Sequence, residues 1–221
     1  VPAVYRALDA VALERPVMIK RDPALHKFSV MGFTAKIHNG PDIKVHPLVT
    51  GGFGADYDGD TMSIYAPIGK EAVEETHRMK PSNNLFAEAT GRLMNVPTLD
   101  SALGLYKLSL VGKKSGQTVN NYADALHAVK DKKLGLNDLV HIKDKNIDTT
   151  AGRVIMATGL PEAMHKSVLQ DHSKVWDKKG LNAAFTQLAK EHPKEFALHA
   201  NRLKDIGFGT TFGAVGVIPS D

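Results

Sequence analysis

The sequence predicts an α+β fold, in which a small barrel of short strands is followed by a mostly helical region. Short apolar stretches rich in β-branched residues, separated by glycine and proline, fill residues 1–68 and indicate strands joined by tight turns. Residues 69–111 mix helical and loop patterns, and apolar side chains recur at helical spacing in residues 112–221. These three ranges are the domains that the sequence predicts.

The first region is predicted to contain one helix and several strands. The helix is expected over residues 4–13, before the first strand. Asn39-Gly40 is a hairpin-type turn signal ahead of the third strand, and Met62 and Ile64 are expected on one face of the last. The strands are expected over residues 16–19, 28–31, 42–46 and 61–65.

The second region begins with a helix, predicted over residues 70–79, and continues into a turn cluster at residues 81–84. A further helix is expected to start at Asp100, because aspartate is a favoured N-cap residue. At the start of the third region, the lysines and glycine of residues 113–116 predict a flexible surface loop.

Two helices are predicted near the end of the chain, each with one apolar face defined by the spacing i, i+4, i+7. One face comprises Leu181, Phe185 and Leu188, and the other comprises Phe196, Ala200 and Leu203. Gly207 is expected to end the second helix, since glycine often follows a helix C-terminus.

The composition is that of an ordinary soluble globular protein, with 43% hydrophobic and 24% charged residues. The sequence has no cysteine, which excludes disulfides and thiolate metal sites. The absence of cysteine also fits a reducing cytosol without requiring it. No apolar run is long enough to span a membrane. A cytoplasmic protein without a membrane partner is expected. The net charge of +4 suits a polyanionic partner, although charge alone does not identify one.

Carboxylates alternate along residues 54–60, at Asp56, Asp58 and Asp60. On a flat strand each step of two residues spans about 6.6 Å, whereas oxygen ligands lie about 2.1 Å from a magnesium ion. The backbone must therefore curl to bring all of them to one ion, and Gly59 permits such a bend because it has no Cβ. Converging carboxylates take up protons or hold a cation, and an all-oxygen site favours magnesium, manganese or calcium over zinc.

Other interpretations of this run are an acidic surface turn, an EF-hand-like calcium loop and structural capping of turns. An EF-hand loop needs glycine at its sixth position and glutamate at its twelfth. Counted from Asp56, those positions hold Thr61 and Pro67, so this interpretation fails. An acidic turn is the usual fate of a lone aspartate pair, but here predicted strands flank the run. Capping stays open for any single aspartate.

The aspartate run resembles the NADFDGD signature of the largest subunit of multi-subunit DNA-dependent RNA polymerases, the bacterial β′ chain and its counterparts. Residues 15–27 resemble the family's RPVLLNRxPTLHR segment, and residues 60–67 resemble the last eight letters of its DGDQMAVHVP segment. Further matches, in the family's order and spacing, are residues 46–49, 82–85, 97, 100, 103–106, 149–153 (TTxGR) and 203–208 (LKDLGF). The resemblance is dense to about residue 109 and sparse beyond it.

The resemblance implies that residues 1–68 form half of a double-psi β-barrel carrying the metal loop. In this family the aspartates hold the catalytic magnesium, so Asp56, Asp58 and Asp60 are the expected metal ligands and catalytic residues. A second Mg²⁺ arrives with the nucleotide. The implied reaction transfers nucleotidyl groups from NTPs to the RNA 3′ end by a two-metal mechanism, without a side-chain base.

Two further positions carry expectations about the substrate. Arg21 matches the family arginine that contacts the incoming nucleotide near its sugar, where a guanidinium offers several fixed donors. Gly54 replaces the family asparagine that helps recognise the ribose 2′ hydroxyl. Loss of that amide removes a hydrogen bond specific to ribose, so weaker sugar discrimination, or discrimination supplied by another residue, is expected.

The resemblance also implies partners. The expected ones are a β-like chain, the remaining β′-like chains, the DNA template, the RNA product and NTPs. The chain begins where the family's barrel is half complete, which suggests a split subunit of a bacteriophage-encoded polymerase, acting in the host cytoplasm. Residues 112–221 would form a pore or funnel-like region, and the glycine-rich apolar tail, residues 207–221, would dock onto a partner.

Two other functions are weighed against catalysis. A scaffold paralogue would keep the fold without the chemistry, although a scaffold gains nothing from three crowded carboxylates. An unrelated metal-dependent phosphohydrolase would need a second ligand cluster, and Glu71, Glu74 and Glu75 are typical of a solvated helix face. In the polymerase interpretation the isolated chain is expected not to elongate a primer.

Overall fold

The computed structural model of the chain describes residues 2–211. Within those residues the protein is of mixed α+β class, with two small sheets and a larger number of helices, which confirms the predicted class. The chain divides into two compact units, Val1–Val96 and Pro97–Asp221. None of the helices in the described part is both long and apolar enough to cross a bilayer.

The first unit contains one antiparallel sheet with the strand order β2–β1–β3. Its core is formed by Ile19 of the central strand together with Phe28, Met31, Val49 and Phe53. Its helices and strands are α1 (Pro2–Glu14), β1 (Val17–Lys20), β2 (Val30–Phe33), α2 (Thr50–Phe53), β3 (Ser63–Tyr65) and α3 (Lys70–Arg78). The predicted helices at residues 4–13 and 70–79 are therefore confirmed.

Helix α3 packs against strand β2. The backbone N–H of Gly32 donates to the carbonyl oxygen of Met79 at 3.2 Å. A Cβ at Gly32 would collide with the carbonyl oxygen of Thr76, so this strand position requires a glycine for the close approach of the helix. The helix thereby covers the outer side of β2.

Helix α1 presents an apolar stripe to solvent. Val4, Leu8 and Val11 follow the spacing of one helical face and are 61%, 46% and 52% exposed. The sequence predicts the helix correctly, because spacing and composition are local properties. It does not show whether the apolar face of the helix is covered or exposed.

Two of the strands predicted in this unit differ in the structure. Residues 42–46 form an irregular segment instead of a strand, because no neighbouring strand among the described residues pairs with their backbone. A 3₁₀ turn, Lys27–Ser29, precedes β2, so that this strand begins at Val30 instead of Phe28. Both segments have the alternating apolar residues of a strand. Alternation is therefore insufficient to form a strand where no neighbouring backbone pairs with the segment.

The last strand of the unit is shorter than predicted. It begins at Ser63, and Met62 packs against the core while Ile64 is 53% exposed. Met62 and Ile64 therefore do not share the predicted common face. Met62 is the last residue of the preceding loop, where the period-two rule for strands does not hold.

The second unit contains a sheet with the order β4–β5–β6, in which β4 and β5 are parallel and β5 and β6 antiparallel. Ala125, Leu134, Val140 and Ile142 form the core beneath it. The helices and strands are α4 (Leu99–Ser109), β4 (Lys114–Val119), α5 (Tyr122–Lys130), β5 (Leu139–Ile142), β6 (Ile147–Thr150), α6 (Ala151–Thr158), α7 (Glu162–Gln170), α8 (Lys178–Glu191) and α9 (Phe196–Thr211).

Two expectations for this unit are wrong. Residues 113–116 were expected to be a flexible loop, but Lys114 begins a strand. That strand is polar and largely exposed, so no apolar face signals it in the sequence. Helix α4 begins at Leu99 after Thr98, which places Asp100 in the first turn, where its charge still favours the helix N-terminus.

The apolar faces predicted for α8 and α9 are confirmed, since all of their defining residues are buried. These residues are Leu181, Phe185 and Leu188 of α8 and Phe196, Ala200 and Leu203 of α9. Gly207 does not end α9, which continues to Thr211. Residues 212–221, most of the predicted docking tail, lie outside the described residues.

Gly207 instead allows α9 to approach α4 closely. A Cβ at Gly104 would overlap the backbone of Gly207, and a Cβ at Gly207 would overlap the carbonyl oxygen of Ser101. The hydroxyl of Ser101 donates to the carbonyl oxygen of Lys204 at 3.2 Å, which links the same two helices. Small residues on both helices therefore set their separation.

Gly104→Ala is expected to destabilise the second unit by about 2 kcal/mol, because the helices must separate to admit a methyl group. Urea unfolding followed by the fluorescence of Trp176, the single tryptophan, measures this change. Lys107→Ala on the exposed side of the same helix is the control and should shift stability by less than about 0.5 kcal/mol. Equal stability of Gly104→Ala and wild type would contradict the close packing.

Arg153 of α6 is buried, with 1% of its surface exposed, and has no carboxylate within hydrogen-bond distance. Its guanidinium donates instead to backbone carbonyl oxygens from two segments, the end of α4 and residues 168–174. Nη1 donates to Val168 at 2.7 Å and Asp171 at 2.9 Å, and Nη2 donates to Ser109 at 2.7 Å and Lys174 at 2.9 Å. Burial lowers the pKa of Arg153, and the charge of Asp171 acts in the opposite direction.

Candidate metal centre

The aspartate loop is anchored at both ends in the core of the first unit. It follows α2, whose last residue, Phe53, is buried, and it ends at Met62, which packs against the same core. Gly54 ends the helix in the left-handed conformation with φ of 60°, and the N–H of Ala55 donates back to the carbonyl oxygen of Thr50 at 3.0 Å. These contacts direct the chain out of the helix and into the loop.

The loop brings the predicted carboxylates together. Asp56 and Asp58 are exposed, whereas the side chain of Asp60 is 23% exposed, and one carboxylate oxygen from each of the three lies within 4.8 Å of the others. Gly59 has φ of 114°, a conformation that side-chain-bearing residues rarely adopt, and the N–H of Asp56 donates to Asp60 Oδ2 at 3.1 Å. The backbone is thus curled, as convergence of alternating residues requires.

The crowding of negative charge changes the proton affinity of the cluster. A hydrogen bond with Asp56, and the negative charge of Asp56, raise the pKa of Asp58. In contrast, hydrogen bonds from Arg21 and from the backbone N–H of Asp56 lower the pKa of Asp60. The pKa values of Asp58 and Asp60 are therefore shifted in opposite directions by their neighbours.

Arg21 lies beside the cluster, directly after strand β1. Its Nε donates to Asp60 Oδ2 at 2.9 Å and its Nη2 to Asp60 Oδ1 at 3.2 Å, which makes the pair bidentate. Its Nη1 donates to the carbonyl oxygen of Phe53 at 3.5 Å. The sequence suggested Arg21 as a substrate-binding residue, but it gave no indication of this pairing.

Gly54 also lies beside Arg21. A Cβ built at Gly54 would be 3.9 Å from Arg21 Nη1, an ordinary contact distance. The left-handed backbone at this position favours glycine and, among other residues, best tolerates asparagine. The conformation therefore suits the glycine at this position and would also admit an asparagine.

A cavity of about 700 Å³ opens next to the aspartates. The irregular segment expected to be a strand forms part of its wall. The lining residues are Pro41, Asp42, Ile43, Lys44, Val45, Thr50, Ala55, Asp56, Tyr57, Gly59, Asp60, Thr61 and Met62. Sequence reasoning missed residues 41–45 as part of the site, because their alternating pattern indicated a paired strand.

The residues of this cluster fit a magnesium-sized cation. Oxygen ligands about 2.1 Å from one ion lie no more than about 4.2 Å apart, and the nearest oxygens of the aspartates are within 4.8 Å of one another. A small inward movement is sufficient. All donors are carboxylate oxygens, which magnesium, manganese and calcium prefer. Within residues 2–211, no other group of three histidine, aspartate or glutamate side chains converges as closely.

Comparison with known proteins identifies relatives of the chain. Residues 3–81 match the family described as RNA polymerase Rpb1, domain 2. The chain is 32% identical to the DNA-directed RNA polymerase subunit beta' of Kineococcus radiotolerans over 251 residues, which include 98% of this chain and 19% of the relative. It is 33% identical to the subunit beta' of Sulfurihydrogenibium sp. over 229 residues, with 100% of this chain and 14% of the relative covered.

A third relative is the DNA-directed RNA polymerase subunit beta' of Campylobacter lari. The two are 34% identical over 212 residues, which cover 93% of this chain and 14% of the relative. The chain therefore spans less than a fifth of the length of each of these three proteins. The similarity extends across nearly all of this chain, through both compact units.

Proposed function

Because this chain is related across nearly its whole length to the β′ subunits of DNA-directed RNA polymerase, we propose that it supplies the metal-binding loop of such an enzyme's catalytic centre. The observation that carries the proposal is the convergence of Asp56, Asp58 and Asp60 on one curled loop with Arg21 beside it. In this proposal the complete activity requires further polypeptide beyond the residues given, because the relatives are much longer.

Asp56, Asp58 and Asp60 would hold one Mg²⁺ through carboxylate oxygens, and a second ion would enter with the nucleotide. The chemistry that magnesium would supply there is a lower pKa of the RNA 3′ hydroxyl and neutralisation of the charge that develops on the pyrophosphate. The carboxylates of this chain position the reacting groups, and Arg21 donates hydrogen bonds to oxygens of the incoming nucleotide. No side chain of the loop is needed as a general base.

The fold of the first unit is proposed to be part of a double-psi β-barrel. Three short strands in one antiparallel sheet and a metal loop directly before β3 are consistent with this assignment. The division into a barrel portion (residues 1–68), an active-site extension (69–111) and a pore or funnel-like region (112–221) stays a prediction. So does a split-subunit or bacteriophage origin.

The proposed partners are a β-like chain, the remaining β′-like chains, the DNA template, the RNA product and NTPs. The names of the relatives support other polymerase subunits as partners. The net charge of +4 is compatible with nucleic-acid partners. The cavity bordered by Asp56, Asp60 and Lys44 is of a size that admits part of a nucleotide.

Gly54→Asn is expected to increase the preference for ribonucleotides over deoxyribonucleotides by about tenfold, because the new amide can bond the 2′ hydroxyl. The left-handed backbone and the ordinary Cβ contact with Arg21 allow this substitution. Single-nucleotide incorporation of matched ribo- and deoxyribonucleotides by the assembled enzyme measures the ratio. Gly54→Ala, which adds a Cβ but no amide, is the control. The same gain in Gly54→Ala would show that the amide is not responsible.

The experiment that tests the proposed function is RNA synthesis by the assembled enzyme after substitution of Asp58. A loss of synthesis with normal assembly supports a catalytic subunit. Normal synthesis would instead favour the scaffold interpretation, in which the fold is kept without the chemistry.

A further inference from the structure

Among the ion pairs described in the first unit, only that of Arg21 and Asp60 is bidentate. Both oxygens of Asp60 accept hydrogen bonds from the guanidinium, at 2.9 and 3.2 Å. The two side chains are only 24% and 23% exposed, so water competes less for this pair than for a fully solvated one. The other side chains of the cluster, Asp56 and Asp58, are exposed and have no basic partner among the described ion pairs.

The oxygen Oδ2 of Asp60 has little capacity left for another ligand. It accepts from Arg21 Nε at 2.9 Å and from the backbone N–H of Asp56 at 3.1 Å. A carboxylate oxygen offers about two lone-pair sites. A cation that uses Oδ2 must therefore displace one of these donors. Oδ1 accepts one bond, from Arg21 Nη2.

The positive charge of Arg21 also opposes the binding of a metal ion. Arg21 places one positive charge against the carboxylate cluster, and a divalent cation at the same carboxylates would be repelled by that charge at short range. Of the two donors to Oδ2, the side chain of Arg21 moves more easily, because the Asp56 N–H is fixed by the curled backbone that brings the carboxylates together.

We propose that Arg21 is the counter-cation of the aspartate cluster and leaves Asp60 when a divalent cation binds, which frees its guanidinium for a nucleotide. This inference rests on the proposed function, since it assumes that the aspartates hold a metal. It adds that metal binding and the position of Arg21 are coupled. By linkage, the factor by which metal binding raises the affinity of Arg21 for an anionic ligand equals the factor by which that ligand raises the metal affinity.

The chain contains a matched control for Arg21. Lys20 is the preceding residue and carries the same charge, but its Nζ pairs with Asp22 Oδ1 at 2.8 Å and not with the cluster. Lys20→Gln therefore removes an equal charge one residue away. Arg21→Gln removes both the charge and the bidentate pair, and Arg21→Lys keeps the charge while losing the planar fork.

The test is a Mn²⁺ titration of the full chain, with free Mn²⁺ measured by electron paramagnetic resonance. Arg21→Gln is expected to bind Mn²⁺ about fivefold more tightly than wild type at low salt, because one repulsive charge and one competitor are gone. Arg21→Lys should lie between the two, and Lys20→Gln should equal wild type. Asp58→Asn should bind more weakly than wild type.

A second measurement follows the guanidinium itself. In ¹⁵N-labelled wild-type protein, added Mg²⁺ should shift the Arg21 Nε–H resonance and increase its exchange with water, since its bond to Asp60 is lost. An Arg21 Nε–H resonance that stays unchanged while Mg²⁺ saturates the site would overturn the coupling. So would an Arg21→Gln chain that binds Mn²⁺ no more tightly than wild type.

These results separate the coupling from the proposed function. If wild type and Asp58→Asn bind Mn²⁺ equally, or if neither binds it, the metal role of the aspartates is wrong and the coupling fails with it. If Asp58→Asn binds more weakly but Arg21→Gln equals wild type, the metal role stands and only the coupling is wrong. Circular dichroism of each variant shows whether the fold is retained.

Discussion

If the proposed function holds, Asp58→Asn in the assembled enzyme is expected to reduce RNA synthesis at least about a thousandfold, because a neutral amide replaces a carboxylate that we propose as a ligand of the catalytic cation. Asparagine has nearly the size of aspartate, so the substitution changes the charge and little else. Asp58 is exposed and lies on a loop outside the core. A neutral side chain at this position is therefore compatible with the fold. Primer extension by the enzyme, purified together with its companion chains, measures the loss.

The matched control for this prediction is Asp131→Asn in the second unit. Asp131 is exposed and, within residues 2–211, its side chain pairs only with Lys133, at 3.1 Å, so its loss should leave synthesis within about twofold of wild type. Size-exclusion chromatography of both variants establishes whether the complex assembles normally. Synthesis by Asp58→Asn at the level of Asp131→Asn would show that this aspartate is not a ligand of the catalytic metal.

Arg153→Ala is expected to destabilise the second unit by about 4 kcal/mol, the largest change in stability that we expect from a single substitution. The guanidinium satisfies the carbonyl oxygens of Ser109, Val168, Asp171 and Lys174, all at 2.7–2.9 Å. Removal of the side chain leaves these acceptors without their donor and opens a cavity beside α6. The backbone N–H of Trp176 donates to the Ser109 hydroxyl at 2.9 Å, so the fluorescence of this tryptophan reports on the same region during urea unfolding.

The control for Arg153 is Arg202→Ala on the exposed side of α9, which should change stability by less than about 0.5 kcal/mol. Arg153→Lys should fall between Arg153→Ala and wild type, because an ammonium group cannot reach all of the carbonyls that the planar fork joins. A free energy of unfolding for Arg153→Ala within about 1 kcal/mol of wild type would mean that water replaces the guanidinium without difficulty.

Local patterns predicted the helices of this protein better than its sheets. The buried faces of α8 and α9 follow from helical spacing alone, since Leu188 and Leu203 lie where the period places them. Strand β4 was missed because its stability comes from pairing with β5, not from an apolar face of its own. Conversely, residues 42–46 have the alternation of a strand but gain no partner. Pairing between distant segments is information that a single sequence does not contain.

In the candidate site too, local features could be predicted from the sequence and contacts between distant residues could not. The three aspartates could be proposed as ligands from their spacing and from the glycine that permits the bend, and the structure brings them together. The partner of Asp60 could not be predicted, because Arg21 is 39 residues away and only the fold of the core places it beside the loop. The reason for glycine at position 54 could not be predicted either, because it is the left-handed backbone conformation, which only the structure shows.

The strand order β2–β1–β3 restricts how the sheet of the first unit can be extended. The backbone of β2 already donates at its outer side to Met79, the residue that follows α3, whereas β3 pairs only with β1 among the described residues. Unpaired strand edges recruit further strands. A further strand can therefore be added to the sheet only at the edge formed by β3. It would run alongside Ile64, shortly after the aspartate loop. A polypeptide that completed the sheet there would also limit how far the loop could open.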